Sequence, residues 1–384
     1  MRSLVLMRLN NAYILYYIIS VLLFTEYYEP AQQAGGPITS IRNLYQVLKA
    51  HMPIRIITSA YDLNGTIPMS NIALNTFNQD RYYTLKDVKS CFRLGQWMQQ
   101  HRDELFYING LYTWHLSLLP ALLGKRLVIA PRGMLQASSF EEKGILKKMY
   151  LWVYKQVLRR KQLVWQATSA AEVEEIQQYF GKRFPIQQIA NIPAVPIAQV
   201  SIIEKKEKSL QLVCVALIGH MKNHMRLIEV LQASQLPIAL DLYGPIKDVA
   251  YWERCQQLIE QSSAPCRIQY KGSVAPSEIA ALLQQYHASI LLSKGENFGH
   301  AIYESLAVGR PVLLSDKTPW TFATPAGATF NDADDAGLIA HLHTLWNEEQ
   351  QAWNMRAQAA LAYAQAYAAQ QDLETAYLHL FHNR

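Results

Sequence analysis

Short apolar runs alternate with stretches of helical repeat along almost the whole chain, the pattern that parallel α/β domains produce. In the first half, Ile19–Thr25, Arg55–Ser59, Leu105–Ile108, Arg126–Ala130 and Leu163–Thr168 predict strands, with helices over Pro37–Ala50 and Glu142–Arg160. Ser169 and Glu172 have the spacing of a capping box that opens a further helix. The stretch Ala60–Gln79 is polar and rich in turn residues, and an irregular excursion is expected there. The alternation pauses over 192–209, where Pro193 and Pro196 give way to the charged run Glu204–Ser209, read as a flexible linker. It resumes with Gln211–Ile218, Ile238–Tyr243, Ile268–Tyr270, Ser289–Leu292 and Val312–Ser315, and closes in an Ala/Gln/Tyr-rich helical segment from Glu348 to Phe381. The expected organisation is a first α/β domain over 1–195, a linker over 196–209, a second α/β domain over 210–350 and a helical segment over 351–384.

Length agrees with two domains, since 384 residues exceed one ordinary core. Half the residues are hydrophobic and 17% charged, the balance of a globular chain. Cys91, Cys214, Cys255 and Cys266 have no C-x-x-C spacing, so free thiols are expected rather than a disulfide framework. The net charge of +6 conceals an asymmetry. Residues 1–200 hold 22 Lys and Arg against 12 Asp and Glu, and residues 201–384 hold 14 against 18. A basic first half points to an anionic partner, a membrane surface or a lipid-diphosphate acceptor; no nucleic-acid motif accompanies it. Between Arg8 and Glu26 the chain is uncharged, with an apolar run over Ala12–Phe24. That run falls short of the about 20 residues of a spanning helix and lacks a signal-cleavage pattern. Residues 1–18 are therefore read as an extension before the first strand, with a membrane anchor as the alternative.

The densest chemistry lies in Gly295–Pro311, GENFGHAIYESLAVGRP. It follows the apolar run Ile290–Leu292, opens a helix on Phe298, Ile302 and Leu306, and leads into a strand from Pro311. A strand–loop–helix–strand unit places a ligand at a helix N-terminus, where the N–H groups of Asn297, Phe298 and Gly299 would face a diphosphate. Glu296 and Glu304 flank that anion site. Carboxylates beside a phosphate need donors, and sugar hydroxyls supply them. The combination suggests a nucleotide-sugar pocket.

Glu296 and Glu304 also form the Glu-x7-Glu signature, and the wider phrase through Lys317–Trp320 resembles glycosyltransferase family 4, specifically a bacterial branch that assembles surface polysaccharide. The resemblance covers essentially 19–384. It implies the GT-B fold, two Rossmann-like domains facing a cleft with the last helix crossing back to the first. It also implies a retaining, metal-independent hexosyltransferase that uses no cofactor, its nucleotide-diphosphate sugar being a substrate. The acceptor would be a glycan or lipid-linked glycan, and the protein cytoplasmic at the inner face of the membrane. In that family Glu304 would hold the donor ribose, and Glu296 would act on the transferred sugar.

Three further positions join this expectation. Gly35 and Gly36, before Pro37, match the family's glycine loop facing the donor diphosphate. Lys222, after the first strand of the second domain, can neutralise a phosphate as a point charge. Relatives usually carry an arginine five residues earlier, where this chain has Leu217. Arg132, after the strand Arg126–Ala130, stands where many members have histidine; always charged, it is expected to act on catalysis by electrostatics or positioning, with a structural ion pair as the rival. Lys143–Lys161 reads equally as a basic interfacial helix or a solvated face. Asp332-Ala333-Asp334 resembles a metal-binding motif but reads better as helix-capping acids. No H-E-x-x-H, G-x-S-x-G, P-loop or G-x-G-x-x-G is present. A catalytically weak scaffold subunit and a sugar-nucleotide epimerase remain the rival functions.

Overall fold

The computed structural model describes residues 4–9, 12–17, 20–140, 144–197, 199–370 and 372–382, with backbone alone for 4–9, 12–17, 137 and 138. The chain opens on a hairpin, β1 (Leu4–Leu9) antiparallel to β2 (Ala12–Tyr17), with Leu4 opposite Tyr17. The apolar run at the N-terminus therefore includes a strand where the anchor reading needs a helix. Ile19 of the predicted first strand lies outside the described residues. The chain divides into two compact units, one of 1–32, 40–192 and 372–384, the other of 33–39 and 193–371.

The first unit contains β3 (Val21–Thr25), α1 (Gly36–Leu48), β4 (Ile54–Ser59), β5 (Phe77–Asn78), β6 (Arg81–Thr84), α2 (Val88–Gln100), β7 (Leu105–Asn109), α3 (Leu118–Leu123) and β8 (Arg126–Ala130). It continues with α4 (Gly144–Leu158), β9 (Gln162–Ala167), α5 (Ala170–Phe180) and β10 (Ile186–Gln188). Its sheet runs β10-β9-β8-β7-β3-β4-β6-β5, and every pairing but β5–β6 is parallel. Its central strands, β3, β4, β7, β8 and β9, are buried on both faces, as helices on either side require. In β3, Leu22 and Phe24 join one core with residues of α2, α4 and α5, while Val21 and Leu23 join another with α1. The excursion expected over Ala60–Gln79 ends in β5, the sheet's antiparallel edge. Its two residues are too few to show a period of two in the sequence.

The second unit holds β11 (Gln211–Val215), α6 (His224–Ala233), β12 (Ala239–Tyr243), α7 (Val249–Glu260), β13 (Arg267–Tyr270), α8 (Ile279–Leu283) and β14 (Ala288–Leu291). After these come α9 (His300–Ala307), β15 (Val312–Ser315), β16 (Gly327–Phe330), α10 (Asp335–Asn347) and α11 (Gln350–Gln370). All six strands are parallel in the order β13-β12-β11-β14-β15-β16. The first strand of each unit has neighbours on both sides, β4 and β7 around β3, β12 and β14 around β11. That reversal opens a crevice at the strands' C-terminal ends, where open α/β sheets bind ligands.

Two expectations need correction. The charged run Glu204–Ser209 is fixed to the second unit, because Lys205 is 3% exposed and donates to the carbonyls of Trp346 and Glu348 at the C-terminal end of α10. Gln350 Oε1 accepts from the Lys205 N–H at 2.8 Å. The closing helical segment is two helices. α11 belongs to the second unit and α12 (Leu373–His382) to the first, where Tyr377, Leu378 and Phe381 enter the core beside β3 and β4.

Candidate functional site

In the second unit the loops after β11 and β14 meet at the switch point between those strands. The first makes a short 3-10 turn, His220–Lys222, and Asn223 then takes a left-handed conformation that starts α6. The second is held from behind: the Lys294 N–H donates to Met221 O at 2.9 Å, and the Glu296 N–H to Lys317 O at 3.1 Å. The two side chains that these loops carry form an ion pair. Lys222 Nζ donates to Glu296 Oε1, which also accepts from Ser293 Oγ at 3.0 Å. With side chains 22% and 10% exposed, the pair is mostly withdrawn from water.

Phe298 and Gly299 follow. The Phe298 ring is buried against Trp320, Tyr303 and Tyr367, and Trp320 Nε1 donates to the Phe298 carbonyl. Gly299 has φ +78°, and a Cβ there would come within 2.6 Å of Ile302. α9 starts at His300 behind Gly299, which has no side chain to cap it, and a helix start carries the positive end of the helix dipole. Glu304, in the second turn of α9, is 9% exposed. Gly35 and Gly36 fall in the segment grouped with this unit, and a Cβ on Gly36 would lie 3.6 Å from the His300 ring. One on Gly35, at φ +62°, would meet nothing within 4 Å. Lys222, Glu296, Asn297, Phe298 and Gly299 thus lie on the two loops that meet at the switch point, Glu304 follows on α9, and Gly36 lies against the His300 ring.

His224, the first residue of α6 and two positions past Lys222, is fully buried and its pKa is pushed down to about 4 by burial and by the Lys222 charge. It stays neutral at physiological pH and cannot supply a second positive charge. The sequence also gave no weight to Gly244, which closes β12 at φ +141°. Its N–H donates to Gly272 O at 2.9 Å, and a Cβ would stand 1.9 Å from Ala216 O. The loops after β11, β12 and β13 converge there. The signal was the Tyr-Gly-Pro turn after an apolar strand.

Arg132 lies in the first unit, in a cluster of its own. It takes φ +59°, and Nε donates to Asn109 Oδ1 at 2.7 Å, with Asn191 Oδ1 and the Tyr107 hydroxyl as further acceptors. Among the described residues no carboxylate is within ion-pair distance, so the expected rival, a structural salt bridge, is not what holds it. The turn is anchored by Glu172, which accepts from the Gly133 N–H at 2.6 Å and from the Thr168 N–H at 2.7 Å. Ser169 caps α5 as its spacing predicts, but the Glu172 carboxylate faces Thr168 and Gly133 instead of completing the box.

One turn along α5, Glu175 has a buried carboxylate oxygen with no partner among the described residues; burial first, then Glu172, pushes its pKa up to about 7. The folded state therefore binds this proton more tightly than the unfolded chain. Its stabilising effect is complete below the ordinary value of 4.5 and is lost as pH rises through about 7. Glu175→Gln should remove roughly 1–2 kcal/mol of that decline, a figure discounted for partial exposure, read from urea midpoints on the two sides of this window. An unchanged slope would show that Glu175 titrates normally.

Asp334 caps α10 by accepting from the Gly337 N–H at 2.9 Å, and Asp332 and Asp335 pair with Arg226. The motif resembling a metal site is a helix start. Among the described residues, no group of three or more His, Cys, Asp or Glu could hold a metal, and no helix is long and apolar enough to cross a membrane.

A family model described as "Glycosyl transferases group 1" matches residues 198–321, within the second unit. No curated protein matches the sequence. Among solved structures, the chain is similar to a sucrose-phosphate synthase from Thermosynechococcus elongatus, with TM-score 0.72 and 17% identity over 94% of this chain and 98% of that one. Anabaena Alr3699/HepE in complex with UDP-glucose gives TM-score 0.66 at 16% identity, covering 90% and 94%. WaaG, a glycosyltransferase involved in lipopolysaccharide biosynthesis, gives 0.64 at 15%, covering 94% and 99%. At such identities the likeness establishes the fold: two parallel-sheet Rossmann-like domains in the GT-B arrangement.

Proposed function

We propose that the protein is a retaining glycosyltransferase that moves a sugar from a nucleoside-diphosphate sugar to a glycan or lipid-linked acceptor in surface-polysaccharide synthesis. The observation that carries this reading is the switch-point crevice, where Lys222, Glu296 and the uncapped start of α9 converge. The group 1 match over the same segment and the UDP-glucose bound by HepE support a nucleotide-sugar donor. WaaG's part in lipopolysaccharide biosynthesis supports the acceptor class. The protein would work without a metal at the cytoplasmic face of the membrane, to which its basic first half is drawn.

The departing diphosphate would lie at the start of α9, with Lys222 turning from Glu296 to a phosphate oxygen as the donor enters. Glu296, released from the lysine, would accept from hydroxyls of the hexose. The acceptor hydroxyl attacks the anomeric carbon on the face that the diphosphate leaves. Its proton passes to the leaving phosphate oxygen, so no side-chain base is needed and configuration is retained. The protein's share is orientation and charge stabilisation. Arg132 would add electrostatic or positional help from the first unit.

A thermal-shift screen of UDP-, GDP- and ADP-sugars tests the reading, because a ligand that binds the native state raises the midpoint by mass action. One series should stabilise the protein, and no shift with any of them would remove the donor site. Glu304→Gln should weaken the stabilising donor by about 1–3 kcal/mol, since one acceptor oxygen facing the ribose diol becomes a donor. Equal affinity by calorimetry would take Glu304 out of the ribose site. Leu217, in place of the usual arginine, favours a second reading as a catalytically weak scaffold subunit; turnover of donor into transferred or hydrolysed sugar would dismiss it, and an isomerised donor without acceptor would identify an epimerase.

A further inference from the structure

The first unit carries an apolar face that its core does not use. α4 buries Leu151, Tyr154 and Leu158 on the side facing the sheet. On the opposite side Ile145, Leu146, Met149 and Trp152, at i, i+1, i+4 and i+7, are 78%, 64%, 61% and 65% exposed. Isolated exposed apolar residues are ordinary, but a continuous stripe on one helix marks a contact surface. The stripe also extends sideways. α3 packs on α4 and α2 packs on α3, adding exposed Leu122 and Phe92.

Charge says what this surface meets. None of the three helices contains an aspartate or glutamate. The nearest acids in sequence are Asp87, exposed but bonded to Ser90 as the cap of α2, Asp103 after α2, which pairs with Lys125 at 2.7 Å, and Glu141 and Glu142, which precede α4. Lys89 and Arg93 on α2, Lys148 on α4, and Arg159 and Arg160 just beyond it are all exposed. Lys147 does not join them: its ammonium donates to the Ser139 carbonyl and lies over the Tyr112 ring.

We propose that the outer face of α2, α3 and α4 is a docking surface for an anionic lipid bilayer. The apolar side chains of α4 enter the boundary between headgroups and acyl chains, and the surrounding lysines and arginines meet lipid phosphates. A second copy of the chain would set these cations against their own equivalents, which is unfavourable. The apolar stripe likewise gives a polyanion such as RNA nothing to contact. The inference deepens the membrane part of the proposed function, and it stands apart from the sugar-transfer part. It also changes the expected salt response: electrostatic attraction is screened, whereas apolar insertion persists.

The test is flotation of the full chain with vesicles of phosphatidylcholine containing phosphatidylglycerol, at low and high salt. The wild type should float in both, more weakly at high salt. Met149→Ser with Trp152→Ser should weaken binding at least about tenfold and abolish it at high salt, with the thermal midpoint and the nucleotide-sugar response unchanged. Lys148→Glu with Arg159→Glu and Arg160→Glu should act mainly at low salt. As a second readout, an environment-sensitive dye on Met149→Cys should shift to the blue when vesicles are added. Wild-type flotation by the serine variant, or no dye shift, would overturn the proposal. So would a dimer that forms without lipid and is lost in the serine variant, which would give the face to a second copy. Failure of the nucleotide-sugar screen alone would leave this surface standing.

Discussion

Glu296→Ala is expected to lower the rate of sugar transfer by about two to three orders of magnitude while leaving the affinity for free nucleoside diphosphate intact or slightly raised. The asymmetry comes from the ion pair with Lys222. Glu296 occupies the Lys222 ammonium, so on the proposed function a diphosphate would have to displace it in order to bind. Removing the carboxylate abolishes that competition and frees Lys222 for the phosphate. It also removes the acceptor that would orient the hexose. Initial rates with the donor found by screening, together with calorimetry of the nucleoside diphosphate, separate the two effects. Lys222→Met should do the reverse, losing diphosphate affinity and leaving a mostly buried carboxylate unpaired. Equal losses of transfer and of nucleotide binding in Glu296→Ala would contradict this division between the two residues.

Gly244→Ala should be the most damaging single-methyl change for stability, costing about 3–5 kcal/mol or preventing the second unit from folding. Two independent restraints act at this position. Its φ of +141° is one that side chains avoid, and the added carbon would stand 1.9 Å from the Ala216 carbonyl, a backbone atom just beyond the end of β11. Relief would require the loops after β11 and β12 to part, which breaks the Ala216–Tyr243 backbone hydrogen bond of 2.8 Å. Gly35→Ala meets no atom within 4 Å and should cost only its backbone strain, about 1 kcal/mol. Comparable thermal midpoints for the two variants would show that the Gly244 turn can relax.

The fold was readable because buried parallel strands are written as continuous apolar runs. Arg126–Ala130 and Val312–Ser315 coincide with β8 and β15, and the other predicted strands differ from the observed ones mainly at their ends. What escaped was short or partly polar: β5 and β6 at one edge of the first unit's sheet, β10 at its other edge, and β16, Gly327–Phe330, at an edge of the second unit's sheet. The charged run Glu204–Ser209 misled because composition does not reveal that one lysine, Lys205, finds carbonyl partners at the end of α10. At the site, the Glu-x7-Glu spacing and the strand before it located α9 and its loop. The pairing of Glu296 with Lys222, 74 positions apart in sequence, depends on which strands are neighbours, and spacing carries no record of that. The network around Arg132 was hidden for the same reason. Tyr107 and Asn109 share β7 while Asn191 lies beyond β10, and only the sheet order brings both segments to Arg132.

The division of the last two helices sets an order of assembly during synthesis. α12 supplies Tyr377, Leu378 and Phe381 to a core whose strands begin at Val21. While the ribosome is still extending the second unit, one face of the first sheet lacks that cover, and its apolar surface is open to chaperones or to other nascent chains. The second unit depends on no helix that arrives so late: α11 is complete before α12 emerges. The half of the protein made first is thus the half finished last, and a release that stops short of Leu373 would yield a second unit able to form its sheet beside a first unit with an unfinished core.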